Sequence, residues 1–200
     1  MAAEAAGVSE ADRVRAAFAE VARLHQEAAD RDPTPIVRAA ALMRGALAAG
    51  GRVLVFGNGG SAADAQHFAA ELVGRFEADR RGWPVVALTA DSAVVTSVAN
   101  DLGFGEVFAR QIEALGRQGD VAFAITTSGA SANVNEALRR ARQAGLGTIG
   151  LTGRGGGETA GLVDVHVTVP GATSARVQEL QRTVLHVLCQ LLEAAAPGAA

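Results

Sequence analysis

Val121-Ala-Phe-Ala-Ile-Thr126-Thr127-Ser128-Gly129-Ala130-Ser131 is the stretch on which the fold turns. Its apolar half shows no polar alternation, the mark of a strand buried on both faces. It runs straight into four hydroxyl residues around a glycine, and a helix-like pattern follows over 132–144. Further strand-length apolar runs stand at Val53–Phe56, Val85–Leu88, Thr148–Leu151 and Val165–Val169. In chain order, each of the first four of these five runs precedes a turn signal and a helix-like segment. Strand and helix in alternation predict an α/β fold with a parallel sheet and right-handed crossovers. Val14, Phe18, Val21 and Leu24 recur at helical spacing within 10–29, and Pro33 and Pro35 close that helix. A second helix runs to Gly50-Gly51, and Ser174–Ala194 reads as one long closing helix. The expected organisation is two N-terminal helices over 1–50, one α/β domain over 51–194 and a short tail over 195–200.

Composition narrows the chemistry. The 200 residues suit one domain. A net charge of −3 disfavours a nucleic-acid surface. No apolar run reaches the ~18 residues of a membrane span. The first ten residues carry neither the basic nor the apolar region of a signal peptide. The expectation is therefore a cytoplasmic chain with no nucleic-acid and no membrane partner. A single cysteine, Cys189, excludes an internal disulfide and a Cys-rich metal site. All 18 basic residues are arginine, and there is no tyrosine. Schiff-base chemistry and a P-loop lysine are thereby excluded. Four histidines and the carboxylates remain as proton-transfer groups.

In open parallel sheets ligands bind beyond the carboxyl ends of the strands. Two loops stand there. Gly57-Asn58-Gly59-Gly60-Ser61 lies between the strand Arg52–Phe56 and a helix expected over Ala62–Arg75. Its glycines let a ligand approach the backbone, and Ser61 is placed as the N-cap, beside amides that suit an anion. A tight turn with a capping serine is the plain structural alternative, and the spacing is not the dinucleotide fingerprint. Thr126, Thr127, Ser128 and Ser131 surround Gly129 in the second loop; hydroxyls and helix N-terminal amides make a lysine-free phosphate cradle. An N-cap alone would need one hydroxyl. Asn100-Asp101, placed after a helix over Ser92–Ala99, are candidates for sugar-hydroxyl contacts or a simple C-cap.

His67 and Glu71 lie four apart, on one face of a helix and about 6 Å apart along it. That spacing suits two ligands of one metal, a base with its partner, or an ordinary surface hydrogen bond. His186 sits within Val184-Leu185-His186-Val187-Leu188, as a core histidine or as a ligand. Gln178 precedes it by eight residues, about 12 Å of helical rise. Either both lean inward over one metal or a second subunit contributes one of them; a site at a subunit interface is the favoured expectation. His25 and His166 have no such context.

Val53-Leu-Val-Phe-Gly-Asn-Gly-Gly-Ser61, Asp64-Ala-Gln-His-Phe-Ala-Ala-Glu-Leu72, Thr127-Ser-Gly-Ala-Ser-Ala-Asn-Val134, Leu151-Thr-Gly153 and Arg176-Val-Gln-Glu179 with His186 together resemble the phosphoheptose isomerases of the sugar isomerase (SIS) fold. The resemblance spans about residues 10–193. It implies a single SIS domain with a flavodoxin-like parallel five-stranded sheet and an N-terminal helical extension. It implies conversion of sedoheptulose 7-phosphate to D-glycero-D-manno-heptose 7-phosphate in a cytoplasmic homotetramer, with one Zn2+ per subunit and active sites between subunits. Carried over residue by residue, it implies zinc ligands His67, Glu71, Gln178 and His186. It implies substrate contacts at Asn58, Gly59, Gly60, Ser61, Glu71, Asn100, Asp101, Thr126, Thr127, Ser128, Ser131 and Gln178, with Glu71 as base and His186 as the paired acid/base group. Ala175 departs from the aspartate common three residues before the glutamine. A non-catalytic relative of the same fold, the replication-initiator-associating protein, has a similar Ser-Ala-Arg-Val-Gln-Glu segment but lacks the glutamate and second histidine kept here as Glu71 and His186. A sugar-phosphate-sensing regulator is the third reading, disfavoured by the absence of a DNA-binding segment.

Overall fold

The computed structural model describes residues 8–195. Five strands, β1 (Val53–Gly57), β2 (Val85–Ala87), β3 (Val121–Thr126), β4 (Gly147–Gly153) and β5 (Val165–Val169), form one parallel sheet in the order β2-β1-β3-β4-β5. This is the flavodoxin-like doubly wound order, whose strand direction of travel reverses between β1 and β3. Among the described residues seven α-helices accompany it: α1 (Glu10–Ala29), α2 (Thr34–Ala48), α3 (Gly60–Val73), α4 (Ser92–Leu102), α5 (Ala109–Leu115), α6 (Ala132–Gln143) and α7 (Ser174–Glu193). Among the described residues no helix is long and apolar enough to cross a membrane. The tail expected over 195–200 lies outside the described residues from 196 onward.

The unbroken apolar runs have a simple physical origin. Val53 and Val55 of β1 and Val121, Phe123 and Ile125 of β3 face one core, shared with α2, α3 and α7. Leu54, Phe56, Ala122 and Ala124 face the other, shared with α5 and α6. Each strand thus buries both of its faces. The edge strands are less uniform: in β5, His166 and Thr168 are half-buried between buried valines.

Three details differ from the sequence reading. The structure adds α5 and a 3-10 turn at Phe104–Glu106; seven residues are too few for helical periodicity to register. Helix α4 continues to Leu102, so Asn100 and Asp101 lie in its last turn and not beyond it. Helix α3 starts at Gly60, with Gly59 as N-cap at φ +57, so Ser61 is inside the first turn and is not the cap. The Gly59-Gly60 pair lets the chain turn into the helix earlier than a capping hydroxyl would require.

A buried ion pair fixes the loop after α3. The Glu193 carboxylate, at the end of α7, accepts from the backbone N–H groups of Phe76, Glu77 and Ala78 at 2.9–3.1 Å and from Arg80 Nε at 2.9 Å. Arg80 also donates to the carbonyls of Glu71 and Leu72 and lies 3.8 Å over the Trp83 ring. Burial raises the pKa of Glu193, but the three amides and the guanidinium outweigh it and leave the group below its ordinary 4.5.

Two outcomes follow from this packing. Gly129 has φ +66, and a Cβ there would overlap the Gly156 carbonyl oxygen; Gly129→Ala is expected to cost about 2–4 kcal/mol in urea unfolding. Because the folded-state pKa of Glu193 is depressed, its contribution is complete above the unfolded value and is lost as pH falls through the lower folded one. Glu193→Gln is expected to cost about 2–4 kcal/mol at neutral pH and to flatten the stability profile below pH 4.5 in acid unfolding followed by circular dichroism.

Candidate active site

The crevice opens where doubly wound sheets place it, between the loops that follow β1 and β3. A cleft of about 280 Å3 is lined by Asn58, Gly59, Gly60, Ser61, Thr126, Thr127, Ser131, Ser174 and Gln178, floored by Ile125. Three helices begin there: α3 at Gly60, α6 after Ser131 and α7 at Ser174. Their first-turn amides and positive dipole ends suit an anion. Neither Gly59 nor Ser131 makes a side-chain cap bond, whereas α1, α4 and α7 are capped by Ser9, Asp91 and Thr173. At α3 the Ser61 and Ala62 N–H groups bond back to the Asn58 and Gly59 carbonyls, so the uncapped start of α6 has the first-turn donors to offer.

The walls are tied together across the crevice. Asn58 and Asn133 exchange reciprocal amide hydrogen bonds of 2.8 and 2.9 Å, joining the first loop to the first turn of α6. Gln181, fully buried on α7, donates to the carbonyls of Thr126 and Leu151 at the carboxyl ends of β3 and β4. Gln178 lies over the first turn of α3, where a Cβ on Gly60 would stand 2.5 Å from its Nε2. A side chain at residue 60 would push the Gln178 amide, the movable end of its side chain, away from the cleft.

Helices α3 and α7 run parallel and side by side. Gly60 meets Gln178, Asp64 pairs with Arg182, and His67 meets His186. His67 Nε2 is 2.8 Å from His186 Nε2 and 3.5 Å from Glu71 Oε1. The three ligand atoms lie within 4.8 Å of one another. Tetrahedral zinc at about 2.0–2.1 Å from each ligand separates its donors by roughly 3.3 Å, so the spacing fits. Two imidazoles and one carboxylate are also the donor set of an open catalytic site. Phe76 stacks against His186 with centroids 5.5 Å apart, and the Glu193–Arg80 clamp holds both that loop and the Glu71 carbonyl. Cys189 is one turn beyond His186, but burial, then the Glu71 and Glu193 carboxylates, push its thiol up to about 12. At that value it is a packing residue and not a nucleophile.

Within one chain, then, His67, Glu71 and His186 come together. Gln178 does not join them: the straight α7 leaves it at the anion cleft, about 12 Å along the axis. Asn100 and Asp101 are exposed and bonded to each other at 2.7 Å, away from the cleft lining. Ser128 turns back to the amide of Ala130 at 3.2 Å. His25 bonds the Val21 carbonyl and Thr183, and His166 bonds Thr152; burial lowers the pKa of His166. Sequence reasoning did not single out Asn133, Ser174, Gln181, Phe76 or the Arg80–Glu193 pair. Ser174 had a signal, four residues before Gln178 on the same helical face; the others depend on contacts across 30 residues or more.

The comparisons with known proteins agree with this geometry. Residues 18–153 match the SIS domain family. The phosphoheptose isomerase of Geobacter sulfurreducens is 50% identical over 181 residues, covering 90% of this chain and 94% of that one. The structure of phosphoheptose isomerase from Neisseria gonorrhoeae superposes with a TM-score of 0.89 at 44% identity, covering 94% of this chain and all of that one. The Francisella tularensis phosphoheptose isomerase gives 0.88 at 37%, covering 92% and 98%. With an uncharged anion cleft and a His–Glu–His cluster on one pair of helices, the chain belongs to the phosphoheptose isomerases of the SIS domain family, aldose–ketose isomerases of heptose biosynthesis.

Proposed function

We propose that this chain converts sedoheptulose 7-phosphate to D-glycero-D-manno-heptose 7-phosphate with the phosphate in the cleft at the head of α3, α6 and α7 and the sugar carbonyl end at Glu71 and His186. The observation that carries this reading is the distance between the two places. From Ser61 to His67 is six residues of α3, about 9 Å, so one elongated ligand with an anion at one end reaches both. Hydroxyls of Thr126, Thr127 and Ser131, the Asn58 and Gln178 amides and the backbone of Gly59-Gly60 are the donors for the phosphate. Holding that end orients the reacting end.

The reaction moves a proton between adjacent carbons through an enediol, which needs a base for the C–H proton and a group that shuttles the hydroxyl proton. Glu71 is the base: Oε1 faces His67, and the second carboxylate oxygen is free to take the proton. His186 returns the hydroxyl proton. Its ring is held by Phe76 and, when no metal is bound, by the bond to His67, in which one Nε2 donates and the other accepts; a bound metal would take the place of that bond. His67, Glu71 and His186 would hold a divalent ion, zinc on donor type, which when bound supplies Lewis-acid stabilisation of the charge that develops on the substrate oxygen.

The assembly we infer is a cytoplasmic homotetramer with shared sites. Helix α4 has no fully buried residue, and Leu102 and Phe104 at its end are more than half exposed beside Asn100 and Asp101. A neighbouring copy covering that end would bring Asn100 and Asp101 to a second chain's substrate.

Glu71→Gln is expected to lower kcat on sedoheptulose 7-phosphate by about 10²–10⁴ with KM changed only a few-fold; full turnover would remove Glu71 as the base. Removing metal with a chelator should abolish turnover, and zinc should restore it. Mixed oligomers of Asp101→Ala and Glu71→Gln chains should regain turnover if sites are shared; mixtures as inactive as their parents would place each site within one chain.

A further inference from the structure

Resting on the reading of the cleft as the phosphate site, we propose that Arg154 is a positioning residue for the anion: it sets the Thr127 and Ser174 hydroxyls so that one O–H proton points into the cleft, and it places a positive charge behind a wall that has none. Among the described residues lining the cleft there is no cationic side chain. A phosphate monoester carries about −1.5 to −2 charges at neutral pH. Arg154 follows the last residue of β4, directly behind that wall.

Its backbone is the first sign of a role. Arg154 has φ +48, and among the described residues it is the one non-glycine at positive φ. The next three residues, Gly155, Gly156 and Gly157, are all left-handed too, at +80, +88 and +49. A run of four left-handed residues is met by glycine at three positions and by an arginine at the first. An L-side chain pays a steric penalty there that glycine does not. Conformations of this kind persist where the surroundings hold them, and they concentrate at ligand sites.

The hydrogen bonds say what the side chain is doing. Arg154 Nη2 donates to Thr127 Oγ1 at 3.2 Å and to Ser174 Oγ at 3.5 Å, and Nε donates to the Thr127 carbonyl at 3.3 Å. The two hydroxyl oxygens are 3.2 Å apart. A guanidinium has five donors and no acceptor, so neither hydroxyl can give its proton to it. The pair has two protons. One spans the Thr127–Ser174 contact, whichever oxygen donates. The other is left to point away from both partners, and both residues line the cleft. Arg154 therefore makes the pair a net donor toward an anion, and its bond to the Thr127 carbonyl fixes the loop that carries it.

The test uses the full-length holoenzyme and inorganic phosphate, read by calorimetry and by competition with the sugar phosphate. Arg154→Gly is expected to weaken phosphate binding and raise KM about three- to tenfold, with kcat within about twofold. Its Tm should hold or rise, because glycine accepts φ +48 without strain. Arg154→Lys, which keeps the charge without the fork, should fall between the two, and the salt dependence of phosphate binding should be shallower in Arg154→Gly than in the parent. Ser131→Ala reports on the cleft itself. If Ser131→Ala weakens phosphate and Arg154→Gly stays within twofold of the parent, the cleft stands and the role of Arg154 falls. If neither weakens it, the cleft reading falls and takes this proposal with it. A lowered Tm in Arg154→Gly with phosphate affinity intact would make the residue purely structural and would likewise overturn the proposal.

Discussion

Three helix N-termini meeting at one crevice is the constraint that organises the rest of the structure. Aligned peptide dipoles leave partial positive charge at the starts of α3, α6 and α7. Gathering them beside the carboxyl ends of β1 and β3 would be repulsive unless something negative or hydrogen-bond accepting entered. The chain answers with hydroxyls, two reciprocal asparagine amides and glutamines in place of fixed charges. Such groups adapt to an anion that must arrive and leave. A lysine in the wall would hold it more strongly in substrate and product alike, which adds nothing to the chemical step.

From that crevice the parallel pair α3 and α7 carries order to the reacting groups. Each pairing along the two helices, Gly60 with Gln178, Asp64 with Arg182 and His67 with His186, advances both chains by about one turn. The helices thus act as a ruler between anion and proton-transfer groups. Sliding one past the other by a turn would separate the imidazoles and break the buried Asp64 pair together, so the register is strongly specified.

The sheet was legible because every central strand buries both faces, which leaves continuous apolar runs such as Val121–Ile125 that no amphipathic surface element shares. The long helices declared themselves by period and by flanking proline and glycine. Helix α5 escaped because seven residues hold too few turns, and the start of α3 was misplaced because a serine after two glycines reads as a cap. At the site, the His67–Glu71 spacing is local and could be read directly. The meeting of His67 with His186 joins residues 119 apart and became visible through a family likeness and then the coordinates, not through spacing. The Asn58–Asn133 pair and the Glu193 clamp have no sequence signature at all, since each is a single polar residue matched to a partner far along the chain.

That clamp has a practical side. Glu193 is the last residue of α7, yet its carboxylate organises the loop whose Phe76 leans on His186. The far end of the closing helix is therefore mechanically connected to the reacting imidazole. Shortening the chain ahead of residue 193, or attaching a fusion partner that pulls the final turn open, would reach the catalytic groups without touching any of them.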